Sequence, residues 1–374
     1  MPSLYEQSHI SSIPHTQGAA GANFDLADAG YELTLAKSVN DLLMAIYDTL
    51  EDSVHRTLAR DRHILHRDMS IFNVLMCLGS ASCTNDISRD APPLIDDVLQ
   101  GELRSPEKRT ARCLVIDFDN AASLGTPAYV ARAVASGSLF TTESNLKWLE
   151  KMPELSGETK ALYTKLYGED RYIKYLDTHD TIHGGVPPRE TVEETEARAL
   201  GMTFFFRREY DAESIFWTMY AALLRVVPKA SPKESEDSRE ALNENWKMLY
   251  EHTIPRGRRT RDSRNPLVDQ SSAELRACLL PAMQDVALLI KSMARHVYPT
   301  YAVMTPPPPL EDHLHEAMQR LILQYLVDHR DNPIPLVPGK LRPVSVNDNP
   351  VINQHTYGAS IPEEQPRVPP KVPQ

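Results

Sequence analysis

The sequence predicts a mainly α fold of the α+β class, with a small β-hairpin set among helices. Three observations predict it. Apolar residues at Val39, Leu42, Leu43, Ile46, Leu50, Val54 and Leu58 keep the i, i+3, i+4, i+7 spacing of a long amphipathic helix. Two short apolar runs, Val74-Leu-Met-Cys77 and Cys113-Leu-Val-Ile116, read as strands. The segment Ile215, Phe216, Trp217, Met219, Tyr220, Leu223, Leu224, Val226 and Val227 is apolar on nearly every face, as a central, buried helix must be.

Taken in order, residues 1–35 are polar and weakly periodic and read as mostly irregular. Ser38 opens the first helix, with Asp41 three residues on to complete a capping box. Residues 78–112, with Pro92-Pro93 and a charged 101–112 stretch, separate the two strands and read as a loop insertion. A second insertion, 138–205, mixes helical pieces at 143–152, 158–175 and 190–200 with the breaker His183-Gly-Gly-Val-Pro-Pro188. Asp211 is read as the cap of the central helix, and further helices follow at 239–250, 272–297 and 310–329. From Asn332 on, prolines among polar residues read as a disordered tail. The expected organisation is therefore an irregular segment 1–35, one main domain 36–330 and a tail 331–374.

A net charge of −11 over 374 residues argues against nucleic acid as the main partner, since little of the surface can neutralise phosphates. The basic run Arg256–Arg264 is the exception and reads as a solvated loop. Four cysteines, at 77, 83, 113 and 278, show neither metal-ligand spacing nor a dense disulfide framework, which fits a reducing interior. No apolar run reaches membrane-span length and no signal peptide is recognisable, so the expected location is cytoplasmic or nuclear, with no membrane partner.

The chemistry-bearing residues are concentrated in two places. Residues 66–73 read His66-Arg67-Asp68-Met-Ser-Ile-Phe-Asn73, and 44 positions after that asparagine the second strand ends in Asp117-Phe118-Asp119. Gly125-Thr126-Pro127 follows. An aspartate in a turn or at a strand end is by itself only a cap; here helix, loop, strand and strand-borne aspartate come in one order. Other constellations are weaker. His179 and His183 have helical spacing for a metal but lack a third ligand. His183-Gly-Gly is not accompanied by a nucleophile elbow and reads as a turn. Lys37 reads as an exposed lysine beside the Ser38 cap.

Three blocks of the chain resemble the fungal-type protein kinase family, a divergent branch of the serine/threonine kinases. They are Ile64–Leu75 around the His-Arg-Asp triplet, Val115–Ala121 with Asp119 in place of the usual glycine, and Arg208-Glu-Tyr-Asp-Ala-Glu-Ser-Ile-Phe-Trp217. Gly125–Ala131 is similar to the end of an activation segment. The resemblance implies a helical C-lobe that transfers the γ-phosphate of ATP to protein Ser/Thr hydroxyls. It implies Asp68 as catalytic base with His66 and Arg67 in support, Asn73 and Asp117 as ligands of Mg2+, Thr126 steadying the loop, and Asp211 anchoring it. ATP and Mg2+ are the implied cofactors and a protein the implied substrate.

The departures matter equally. Only 65 residues precede His66, and the glycine-rich loop, strand lysine and helix glutamate of the ATP-gripping N-lobe have no positions, so that lobe is expected to be largely absent. Weak or absent catalysis by this chain alone is the expectation, and an interaction module of pseudokinase type is the alternative. A small-molecule phosphotransferase fits less well, because the loop reads His-Arg-Asp and a Gly-Thr-Pro segment follows. In the tail, Arg367-Val-Pro-Pro370-Lys-Val-Pro373 fits an Arg-x-x-Pro-x-x-Pro ligand of an SH3 domain.

Overall fold

The structure is a computed structural model that describes residues 31–51, 69–77, 91–105, 108–116, 128–136, 149–183, 207–250, 262–299, 301 and 312–345. It is mainly α, with a small antiparallel sheet amid helices.

The first helix, α1 (Val39–Glu51), follows the expected periodicity: Val39, Leu42, Leu43, Ile46 and Leu50 are all fully buried. Its start is capped as expected in part. Ser38 Oγ accepts the amide of Asp41 at 3.0 Å, but the carboxylate of Asp41 returns to the Ser38 hydroxyl (2.9 Å). Lys37 is exposed beside this cap. The continuation of the helix to Val54 and Leu58 lies outside the described residues.

The two predicted strands form as β2 (Val74–Met76) and β3 (Cys113–Val115), antiparallel, with Val74 opposite Val115 and Met76 opposite Cys113. A third strand, β1 (Tyr31–Glu32), pairs with the other edge of β2, and Leu33 in the turn that follows is fully buried. Residues 31–35 are thus ordered, contrary to the irregular reading. Two residues are too short for a periodicity to be visible; it is the edge of β2 that orders them.

Between β2 and β3, α2 (Ile95–Gln100) sits in what reads as a loop insertion. Asp48 of α1 accepts the amides of Ile95 (2.7 Å) and Arg112 (2.8 Å), tying α1, the start of α2 and the entry to β3 together. Burial pushes the Asp48 carboxyl up to about 7 against the opposing effect of these two hydrogen bonds. Arg109, nearly inaccessible, pairs with the fully buried Asp97 at 2.9 Å and reaches the carbonyls of Ala91 and Pro92. Arg109 thus turns inward from the charged stretch, while Glu102, Leu103 and Lys108 stay exposed.

After α3 (Arg132–Ser136), the second insertion supplies α4 (Gly157–Tyr167) and α5 (Glu169–His183). His179 and His183 lie on the last turns of α5. These helices are joined to the core through Glu316, which receives Tyr163 Oη, Arg171 (2.8 Å) and Arg320 (2.8 Å). Burial opposes ionisation of Glu316, yet Arg171 and Arg320 hold its carboxyl at about 2.

The central helix, α6 (Arg208–Arg225), is buried from Glu209 to Leu224 as its all-round apolar pattern requires. It packs on α1, on α10 (Val286–Val297) and on α11 (His313–Asp328). Two expectations are corrected here. Asp211 is not the cap: the helix starts earlier, from Arg207, and Asp211 sits buried within its first turn. Val226 and Val227 leave the helix for β4 (Val226–Pro228).

The partner of β4 is β5 (Leu336–Leu341), from a segment read as disordered tail. Arg342, 2% exposed, donates to the carbonyls of Leu224 (3.0 Å) and Cys278 (2.8 Å) and pairs with Glu234. Ile334 O accepts the amide of Val39 at 3.0 Å, so this strap also closes the start of α1. Prolines 333, 335 and 338 do not prevent the pairing: the register with β4 is irregular between Val226 and Pro228, and at its start the strand also bonds the other way, Leu336 N to Lys37 O (2.8 Å). The tail beyond Ser345 lies outside the described residues.

The remaining helices are α7 (Glu236–Tyr250), α8 (Asn265–Asp269) and α9 (Ser272–Cys278). Residues 272–297, expected as one helix, form α9, a 3-10 turn at Pro281–Met283 and α10, because Pro281 cannot continue the helix of α9. Cys113 and Cys278 are buried thiols. Cys77 is held in a disulfide whose other half lies outside the described residues. Among the described residues no helix is long and apolar enough to cross a membrane.

Candidate active site

The loop that carries the predicted chemistry enters the described residues at Met69, which is fully buried. A tight turn follows. The amides of Asn73 (3.0 Å) and Val74 (3.1 Å) both donate to Ser70 O, and the amide of Phe72 donates to Ser70 Oγ (3.3 Å). A buried serine with a short hydroxyl side chain suits this turn, because it folds back on its own backbone. Phe72 at the turn apex stays exposed.

Asn73, buried, leads directly into β2. Its carbonyl accepts the amide of Ile116 at 2.9 Å, one step beyond the Val74–Val115 pair. The hairpin thus brings Asn73 beside the residue that precedes Asp117. Asp117 itself, with His66, Arg67, Asp68 and Thr126, lies outside the described residues. Of the predicted site residues the structure describes Asn73 and Asp211.

Asp211 is buried in the first turn of α6. Thr218, seven residues on and therefore on the same helical face, is fully buried, and its hydroxyl donates to Met69 O. The central helix thus reaches the loop immediately after position 68.

Two arginines hold the segment that follows position 127. Arg264, fully buried and paired with Asp262 at 2.8 Å, donates to the carbonyls of Ala128 (3.1 Å) and Val130 (2.6 Å). Its guanidinium lies 5.0 Å from the Trp217 ring centre. The basic run therefore does not end in a solvated arginine, contrary to expectation. Arg132 pairs with Glu213 at 2.6 Å and donates to Val297 O (2.6 Å) and Asn265 Oδ1 (3.1 Å). The same Glu213 oxygen accepts Trp217 Nε1 at 3.1 Å.

Sequence reasoning missed Thr218, Arg132 and Arg264. The apolar pattern around Thr218 offered a weak signal, as a lone hydroxyl in a helix buried on all sides. Nothing in the sequence distinguished the two arginines.

Among the described residues no group of three or more His, Cys, Asp or Glu could hold a metal ion. Of the predicted Mg2+ ligands, Asn73 offers an amide and Asp117 lies outside the described residues. An amide oxygen and a carboxylate are both hard oxygen donors, the type that Mg2+ takes.

A family model described as fungal protein kinase matches residues 25–220, just over half of the chain. The match spans the β1–β3 sheet, α1, the loop at 69–73 and most of α6. No curated protein matches the chain, and no solved structure does.

Proposed function

The chain belongs to the fungal protein kinase family, and from that membership we propose a phosphotransferase reaction in which the γ-phosphate of ATP passes to Ser or Thr hydroxyls of a protein. The observation that carries the reading is the Ile116–Asn73 hydrogen bond, which sets the end of the loop strand against the end of the strand leading to Asp117.

Residues 36–330 are read as the helical C-lobe of such an enzyme, with insertions at 78–112 and 138–205. Asp68 orients the acceptor hydroxyl and takes its proton, while His66 and Arg67 keep the loop in shape around it. Asn73 and Asp117 would hold Mg2+, which when bound offsets the charge of the phosphates. Thr126 steadies the loop from the activation segment, and Asp211 anchors it from α6. Phosphoryl transfer needs positioning and charge neutralisation more than covalent help. The fit of this chain to that need lies in the tight turn at 70–74, held by Ser70 and, through Met69 O, by Thr218.

A second reading, an interaction module without catalysis, is favoured by one observation. The sheet beside the loop has strands of only two and three residues, and no larger sheet accompanies it among the described residues. A nucleotide held there would be gripped mainly from one side. We therefore expect turnover to be slow and Mg-ATP to bind weakly.

Transfer of labelled γ-phosphate to a mixed Ser/Thr protein substrate decides between the two. Slow transfer that disappears in Asp68→Asn and Asp117→Asn supports the phosphotransferase. Wild-type transfer no faster than in those variants leaves the interaction module. A rise of several degrees in Tm with Mg-ATP, lost in Asp117→Asn, would overturn the expectation of weak binding. The tail segment 367–373 is proposed separately as an SH3 ligand, and a peptide carrying it that captures no more SH3 domain than a scrambled control would end that idea.

A further inference from the structure

We propose that Thr218 is a positioning residue for the phosphotransfer loop, fixing from the central helix the Met69–Ser70 peptide; this rests on the phosphotransferase reading above.

Hydroxyls in the middle of a helix usually bond back to the carbonyl four residues earlier. Three other helix hydroxyls among the described residues do so: Thr49 to Ala45 O (2.8 Å), Thr164 to Lys160 O (2.9 Å) and Ser214 to Tyr210 O (2.9 Å), while Ser238 reaches Leu279 O at 3.5 Å. Thr218 differs. Its hydroxyl donates instead to Met69 O, 149 residues away in sequence. Both residues are fully buried, so water does not compete for either group.

The loop itself has little to offer Met69 O. The amides of Phe72, Asn73 and Val74 are all taken by Ser70, two by its carbonyl and one by its hydroxyl. The carbonyl of Met69 is satisfied from α6. Buried carbonyls must be paired somewhere, and a rigid helix is a fixed reference point for that pairing. Threonine suits the task because its β-branch restricts the side-chain torsion.

The consequence follows from covalent geometry. Met69 is joined to Asp68 on one side and to the Ser70–Asn73 turn on the other. Holding its carbonyl fixes one peptide plane between the proposed base and the proposed metal ligand. The Asn73–Ile116 bond then passes the position to the end of β3. Thr218 therefore fixes the start of the Ser70–Asn73 turn without touching substrate.

Two variants test this. Thr218→Val keeps the shape and removes the donor; Thr218→Ser keeps the donor. The measurements are peptide-resolved amide hydrogen exchange, Tm and steady-state kinetics on the full chain. In Thr218→Val, exchange in the 69–76 and 113–116 peptides is expected to rise by about tenfold while α10 and α11 keep their protection. Its kcat is expected to fall by on the order of tenfold to a hundredfold with KM for ATP little changed, the signature of a misplaced group. Thr218→Ser should restore both. Unchanged exchange in Thr218→Val overturns the proposal, as does protection lost evenly across the lobe and not regained in Thr218→Ser. If the wild type itself transfers no phosphate, the phosphotransferase reading fails, and the exchange data alone decide whether Thr218 holds the loop.

Discussion

The amide of Ile116 donates to the carbonyl of Asn73 across 2.9 Å, and this one bond joins two motifs separated by more than forty residues. It is a backbone contact, so it persists whatever side chain stands at 73. The bond that places Asn73 is therefore independent of which side chain stands there.

This separation predicts a split between two substitutions. Ile116→Pro removes the amide and is expected to destabilise the hairpin by about 1–3 kcal/mol, since Asn73 O is left buried without its donor. Asn73→Ala is expected to fold and to keep most of its thermal stability, yet to lose Mg-dependent phosphate transfer by roughly a hundredfold. Thermal melts alongside transfer assays check both halves. Equal loss of Tm in the two variants would count against the assignment.

The Asp97–Arg109 pair predicts a large stability effect at a surface-looking position. Removing Asp97 leaves the buried Arg109 with the Ala91 and Pro92 carbonyls but without its countercharge, at a cost of about 3–5 kcal/mol. Asp97→Ala is therefore expected to lower Tm by roughly 6–12 °C. Calorimetry on the variant decides it; a change of a degree or less would mean Arg109 finds water.

His296 predicts an acid-side loss of stability. The ring is 2% exposed, and burial, with His313 and Arg295 nearby, pushes its pKa down from 6.5 to about 3. In the folded chain it stays neutral, whereas the unfolded chain takes up a proton as pH falls below 6.5. Stability is thus fully present above pH 6.5 and is lost as pH falls towards 3, by up to about 1.4 kcal/mol per pH unit. Replacing the ring by Phe removes this contribution, so the wild-type-minus-variant stability difference should slope with pH over that window. Denaturant titrations at pH 7, 6, 5 and 4 measure it.

The C-terminal strap predicts that the fold extends beyond the region matched by the family. Arg342→Ala strips donors from the carbonyls of Leu224 and Cys278 and leaves Glu234 without this partner. A loss of about 2–4 kcal/mol is expected. A chain ending at Asn332 loses β5 as well, and should be less stable still, with faster amide exchange at the start of α1, whose Val39 amide bonds Ile334 O. Wild-type exchange at Val39 in the shortened chain would contradict this.

Much of the fold was legible because its signals are local. The period of α1, the apolar runs of β2 and β3 and the all-round apolar face of α6 each depend on side-chain spacing within a few turns, and within the described residues each appears as read except for Val226 and Val227. The proposed loop chemistry rests on a signal of the same local kind, fixed spacings over eight residues. The Asp211 cap was misread because an acidic residue in the first turn and an acidic cap leave the same local trace.

The sequence by itself therefore determined the helical class, the order of loop and hairpin, and the residue types that carry the proposed chemistry. Tertiary structure alone decided which polar groups go inside. Arg109, Arg264 and Arg342 look like surface charges until carboxylates and carbonyls, some from distant segments, surround them. The strap at 336–341 looks like tail until β4 offers an edge. Periodicity records a residue's neighbours along the chain, but burying a charge or pairing a strand depends on partners that only the folded chain brings within hydrogen-bond reach.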